Sequence, residues 1–263
     1  MATPARIEAA DLSLVYRLPR DQTRSIQEFA IRLAKRQIRY EDLWALTGVS
    51  FSVRPGEVLA VVGPNGAGKS TLMKVVARVL SPTQGRIVVR GRVAPLIELG
   101  AGFHHDLTGY ENLILYGSIL GHHPDDLRAA AGEIAEWAGV TDFMDAPTRT
   151  YSSGMLSRLG FSVATWARPE VLLVDEVLSV GDETFRRRST RRIKEMLGEG
   201  TSLLFVSHQM DSIRTLAHKV LWLDGGRAVM YGNTEEVLDA YLTAQDAIEA
   251  PITERQAVAS QQA

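Results

Sequence analysis

The segment Gly63-Pro64-Asn65-Gly66-Ala67-Gly68-Lys69-Ser70-Thr71 constrains this chain more than any other part of it. It fits the pattern G-x-x-x-x-G-K-[ST]. It follows a continuous apolar run, Glu57-Val58-Leu59-Ala60-Val61-Val62, suited to a buried strand, and it precedes a helical pattern from about Lys69 to Val79. A strand, a glycine-rich turn and a helix in that order aim successive backbone N–H groups at one point. The positive end of the helix then favours a phosphate there. Gly63 through Gly68 form the cradle, Lys69 reaches the outer phosphates, and the Ser70 hydroxyl is the candidate ligand for a divalent cation. A bare turn would not require lysine and serine at these offsets.

The buried strand also sets the fold class. Val171-Leu172-Leu173-Val174 and Ser202-Leu203-Leu204-Phe205-Val206 are further short apolar runs flanked by helical stretches, which predicts a parallel α/β core. Alternation in Ile7 to Tyr16 and in Val49 to Val53 predicts half-buried strands. Between roughly Leu107 and Arg168 strand signals vanish. There Thr108-x-x-Glu111 reads as a capping box that starts a helix through Asn112 and Leu120. Lys219 to Tyr231 alternates around Asp224-Gly225-Gly226, a hairpin signal, and Thr234 to Leu242 reads as a closing helix. The expected organisation is a single domain over 1–248, with a core at about 1–103 and 169–248 and a helical insert at about 104–168. A loosely ordered tail, 249–263, follows.

A basic amphipathic helix is expected at about 25–39, with Ile26, Phe29, Ala30 and Leu33 on one face and Arg24, Arg32, Lys35, Arg36 and Arg39 on the others. Either it packs on its own domain or it lies near anionic lipid or a membrane partner. The formal charge of -2 lacks the cationic excess used to displace counterions from polynucleotides, so nucleic acid is not an expected partner. The absence of cysteine excludes disulfides and thiolate metal sites and suits a reducing compartment. With no run of membrane-spanning length, work at a membrane would need a partner.

Handling of metal and water falls to Val171-Leu172-Leu173-Val174-Asp175-Glu176, a strand ending in adjacent carboxylates that project to opposite sides. Asp175 is assigned to the Mg²⁺ and Glu176 to the base that orients the attacking water. His208, after the strand ending at Val206, can donate to the terminal phosphate. The His104-His105 and His122-His123 pairs are poor metal candidates, because neighbours on a loop do not readily face one ion and no carboxylate cluster completes a set.

With Tyr151-Ser152-Ser153-Gly154-Met155 upstream of Asp175, the chain resembles the nucleotide-binding subunits of ABC transporters, whose usual L-S-G-G-Q becomes Y-S-S-G-M here. Ser152 would cap the helix that follows. The resemblance implies the ABC ATPase fold: a P-loop NTPase (RecA-like) core with an antiparallel β subdomain and a helical insert. It implies ATP and Mg²⁺, and a head-to-tail homodimer in which Ser152, Ser153 and Gly154 of one chain contact ATP on the P-loop of the other. Ser179, Gly181 and Asp182 fall at the superfamily's dimer-contacting loop. Tyr16 falls near its adenine-stacking aromatic, with Trp44 a rival.

The stretch from Leu96 to Asn112, together with Tyr151 to Met155 and Ser179 to Asp182, is similar to the bacterial polysaccharide exporters of the O-antigen and teichoic-acid type. The usual glutamine of that loop is missing; Glu98 is the nearest polar candidate, although a gap-free count lands on Leu99. No C-terminal carbohydrate-binding domain is expected. The resemblance implies an ATPase homodimer, peripheral on the cytoplasmic face of the cytoplasmic membrane. Bound to two copies of a separate permease, it would drive export of a lipid-linked polysaccharide. An ABC ATPase for a drug, lipid or ion is the alternative; a non-transport ABC ATPase of the DNA-repair class would need long heptad inserts that the sequence lacks.

Overall fold

In the computed structural model, which describes residues 4–19, 40–97, 99–100, 102–175 and 182–260, the described residues form nine strands and seven α-helices. The strands are β1 (Ile7–Pro19), β2 (Tyr40–Val53), β3 (Val58–Val62), β4 (Gln84–Val89), β5 (Val93–Leu96), β6 (Val171–Asp175), β7 (Ser202–Val206), β8 (Lys219–Asp224) and β9 (Arg227–Asn233). The helices are α1 (Lys69–Val76), α2 (Gly109–Ile119), α3 (Pro124–Ala138), α4 (Ser153–Trp166), α5 (Glu183–Gly198), α6 (Met210–Leu216) and α7 (Thr234–Ser260).

The apolar runs assemble into a six-stranded sheet, β5-β6-β7-β3-β8-β9, parallel from β5 to β8 with β9 added antiparallel. Because strand side chains alternate, the sheet feeds two cores. Val58, Ala60, Val62, Leu172 and Phe205 pack with the helices of the insert and α5. Leu59, Val61, Leu173, Leu204 and Leu221 pack with α1 and an antiparallel sheet, β2-β1-β4. Leu59, Leu72, Met73 and Leu46 are fully enclosed, and each such side chain contributes about 1.5–3 kcal/mol through burial.

Several local readings hold. Thr108 Oγ1 accepts from Glu111 N while Glu111 Oε2 accepts from Thr108 N, which completes the capping box at the start of α2. Gly225 and Gly226 turn β8 into β9 with φ of 51° and 77°, and Asp224 faces Arg227 across the hairpin. Others need correction. β1 continues to Pro19 and pairs with a β2 that begins at Tyr40, well before Val49. The closing helix does not stop at Leu242: α7 is helical to Ser260, so most of the stretch expected as a loose tail has helical backbone. The basic segment 25–39 lies outside the described residues. Among the described residues, no helix is long and apolar enough to cross a membrane.

Candidate functional site

The order of the parallel sheet puts the carboxyl ends of β6, β7 and β3 side by side, and these are the ends that carry Asp175, His208 and Gly63. Open α/β sheets bind ligands at such an edge. The glycine loop bridges β3 and α1 in a conformation open to few residues. Gly63 has φ 145°, and a Cβ there would lie 2.0 Å from Leu223 O; Gly68, at φ 99°, would meet Ala45 O at 2.6 Å. The loop is braced from outside. Gly226 N donates to Ala67 O at 3.2 Å and Thr47 N donates to Gly226 O at 2.8 Å, so the β8–β9 turn and β2 both hold it.

Above the loop lies a cleft of about 590 Å³. Asn65, Gly66, Gly68, Lys69, Ser70, Thr71, Asp175 and His208 line it, so the structure brings these sequence candidates together. Lys69 is nearly buried, and its Nζ donates to Gly63 O at 2.7 Å and Pro64 O at 2.9 Å, which sets the ammonium at the base of the loop. Asp175 ends β6 opposite Val206, and His208 stands exposed just beyond β7. Ser70 and Asp175 offer hydroxyl and carboxylate oxygens in one cleft, the hard donors that suit Mg²⁺. Tyr16 and its rival Trp44 both line the cleft from the β1–β2 hairpin, with Leu43 beside them, so the alternatives share one wall. Leu43, Ala45 and Ile97 are lining residues that sequence reading missed, since apolar residues on a strand carry no ligand signal.

Ser152, Ser153 and Gly154 do not line this cleft; they open α4 in the insert, with Ser152 and Ser153 exposed. Ser152 caps the helix as expected, its Oγ accepting from Met155 N at 3.2 Å. Tyr151 is an anchor: its hydroxyl donates to Phe143 O at 2.7 Å and fills the space where a Cβ on Gly109 would sit. Burial pushes its phenol pKa up, and the Asp145 carboxylate pushes the same way. Asp182 caps α5, accepting from Phe185 N at 2.9 Å. Glu176, Ser179, Gly181 and Glu98 lie outside the described residues.

The loop before α2 is tied by Asn112, which is fully buried. Its Oδ1 accepts from His104 N at 2.7 Å, while Nδ2 lies 3.0 Å from His104 O, Leu107 O, Thr108 O and Thr148 Oγ1. The histidines have structural duties as well. His104 Nδ1 accepts from Asp106 N, and His123 Nδ1 accepts from Asp125 N at the start of α3. His122 meets Trp166 edge-on at 5.7 Å, and burial lowers its pKa, with Arg92 adding to the effect.

The family model for ABC transporters matches residues 46–179. An O-antigen export system ATP-binding protein, RfbB, from Klebsiella pneumoniae is 41% identical over 197 residues, covering 75% of this chain and 80% of the relative. A teichoic acids export ATP-binding protein, TagH, from Lactiplantibacillus plantarum is 38% identical over 198 residues, covering 75% of this chain and 54% of the relative. In three dimensions the chain is similar to an ATP-binding cassette solved as a dimeric post-hydrolysis state bound to ADP and Pi. The TM-score is 0.65 at 17% identity, covering 87% of this chain and 98% of that one.

Proposed function

The chain belongs to the ABC transporter ATPase family, and from that premise we propose that it hydrolyses ATP to drive export of a lipid-linked polysaccharide through a separate permease. The observation that carries the reading is the convergence of Lys69, Ser70, Asp175 and His208 on one cleft.

In this cleft the loop N–H groups and the α1 N-terminus hold the phosphates, and Lys69 exchanges carbonyl partners for outer-phosphate oxygens. Ser70 and Asp175 would hold the Mg²⁺, which would supply neutralisation of phosphate charge when bound. Glu176 orients the attacking water and accepts its proton, and His208 donates to the terminal phosphate as charge builds there. The hairpin wall of Tyr16 and Trp44 supports the base by stacking.

Ser152, Ser153 and Gly154 serve the cleft of a second copy, a role supported by the exposure of Ser152 and Ser153 at a helix start and by the absence of all three from the lining of their own cleft. The resemblance assigns Ser179, Gly181 and Asp182 to the contact between the copies and Glu98, or by a gap-free count Leu99, to the position of the permease-contacting glutamine. The dimer closes on ATP and opens once the terminal phosphate is gone, a population shift driven by contacts that exist only with that phosphate. The polysaccharide assignment rests on what the O-antigen and teichoic acid relatives are named for.

The test is capture of a tagged Glu176→Gln chain, with ATP, from detergent-solubilised native membranes, followed by mass spectrometry of the bound protein and lipid. A multi-span permease with a lipid-linked glycan is the expected result. A soluble or DNA-associated partner would overturn the export reading and leave the ATPase.

A further inference from the structure

Away from the cleft, an aromatic and cationic junction joins the insert to the core around Trp137, in the last turn of α3. Phe161 of α4 stacks on the indole at 5.4 Å and 17°, while Phe185 of α5 meets it edge-on at 5.1 Å and 74°. The guanidinium carbons of Arg188 and Arg192 lie 4.9 and 4.7 Å from the indole centre, within cation–π range. Each arginine also grips insert backbone: Arg188 Nη2 donates to Trp137 O at 3.1 Å, and Arg192 Nη2 donates to Thr165 O at 3.1 Å. Arg158 reaches the other way, from α4 to within 4.0 Å of the Asp182 carboxylate that caps α5.

The junction gains meaning from where the two helices start. α4 begins at Ser152, and α5 begins at Asp182, just downstream of Asp175 and Glu176 in the chain. Apolar packing alone would let α4 slide against α5, because it has no direction. A planar guanidinium held at once by a carbonyl and a π face permits one pose. The apolar body of Trp137 supplies the face and the arginines supply the direction.

We propose that Trp137, gripped by Arg188 and Arg192, is a latch that holds α4 at Phe161 and Thr165 against α5, and so fixes Ser152 at the start of α4 relative to the Asp175 end of β6. Trp137, Arg188 and Arg192 are positioning residues; none lines the nucleotide cleft. The inference rests on the reading of that cleft as an ATPase site.

The test measures kcat and KM for ATP hydrolysis, equilibrium ATP affinity and melting temperature on the full chain. The variants are Arg188→Met, Trp137→Leu and Trp137→Phe, with Lys69→Ala as control. Arg188→Met keeps the packing of the stem, and Trp137→Leu keeps an apolar body without a π face. Both should lower kcat about 10-fold, as small misplacements far from the chemistry do, with KM and ATP affinity within about twofold of the parent. Trp137→Phe should restore most of the kcat. The latch is overturned by parental kcat in Arg188→Met, by Trp137→Phe being as slow as Trp137→Leu, or by losses of kcat that merely follow the loss of folded protein. Should Trp137→Leu fail to fold, the exposed Arg188 still decides through Arg188→Met. Parental turnover in Lys69→Ala would sink the ATPase reading itself; an inactive Lys69→Ala beside fully active latch variants would sink only the latch.

Discussion

At Gly63 and Gly68 the backbone takes angles that side chains resist, and carbonyls of Leu223 and Ala45 occupy the space a Cβ would need. The glycines of the motif therefore answer to packing against β8 and β2 as well as to phosphate. Lys69 depends on this arrangement, since its ammonium is aimed by the carbonyls of Gly63 and Pro64. Lys69→Ala should weaken ATP binding about 10- to 100-fold, the equivalent of hydrogen bonds to a charged group worth about 1.5–3 kcal/mol. Titration with a fluorescent ATP analogue measures it, and unchanged affinity would remove Lys69 from the phosphate site. The motif residues were legible because their chemistry is local. Asn112 was not: in sequence it is one more polar position on a helix, and only folding brings His104, Leu107 and Thr148 around it.

Among the elements, those with local signals were read and those made by distant pairing were missed. The capping box of α2 and the Gly225-Gly226 turn each need only neighbours in the chain. β5 escaped notice because Pro95 argues against a strand; it is tolerated because β5 forms the edge of its sheet. β4 is largely exposed along its first half and carries no clear alternation. Asp182, which the family resemblance places in a dimer-contacting loop, also caps α5, a role its position before a helical run could have signalled. The strongest test at this scale is Asn112→Ala. It should cost about 2–4 kcal/mol by leaving buried backbone groups without partners, read as an earlier urea midpoint at unchanged slope. A midpoint equal to the parent's would show that the 104–108 loop does not depend on this amide.

Across the whole molecule, the core carries the cleft and the insert carries Ser152, so the two halves of the proposed ATP site sit on different parts of one chain. Completing the site by a second copy explains why an exposed helix start should matter to a cleft it does not line. Charge and membrane spans fit the same arrangement: the chain is close to neutral, and no described helix can cross a bilayer. In the proposed reading a partner carries the polysaccharide and this chain supplies the energy. The most direct measurement of that claim is Mg²⁺-dependent phosphate release from ATP by the purified chain, run beside Glu176→Gln. The account predicts steady turnover in the parent and a loss of about 100-fold or more in the variant, the scale on which a general base acts. No turnover in the parent, or equal turnover in both, would contradict it.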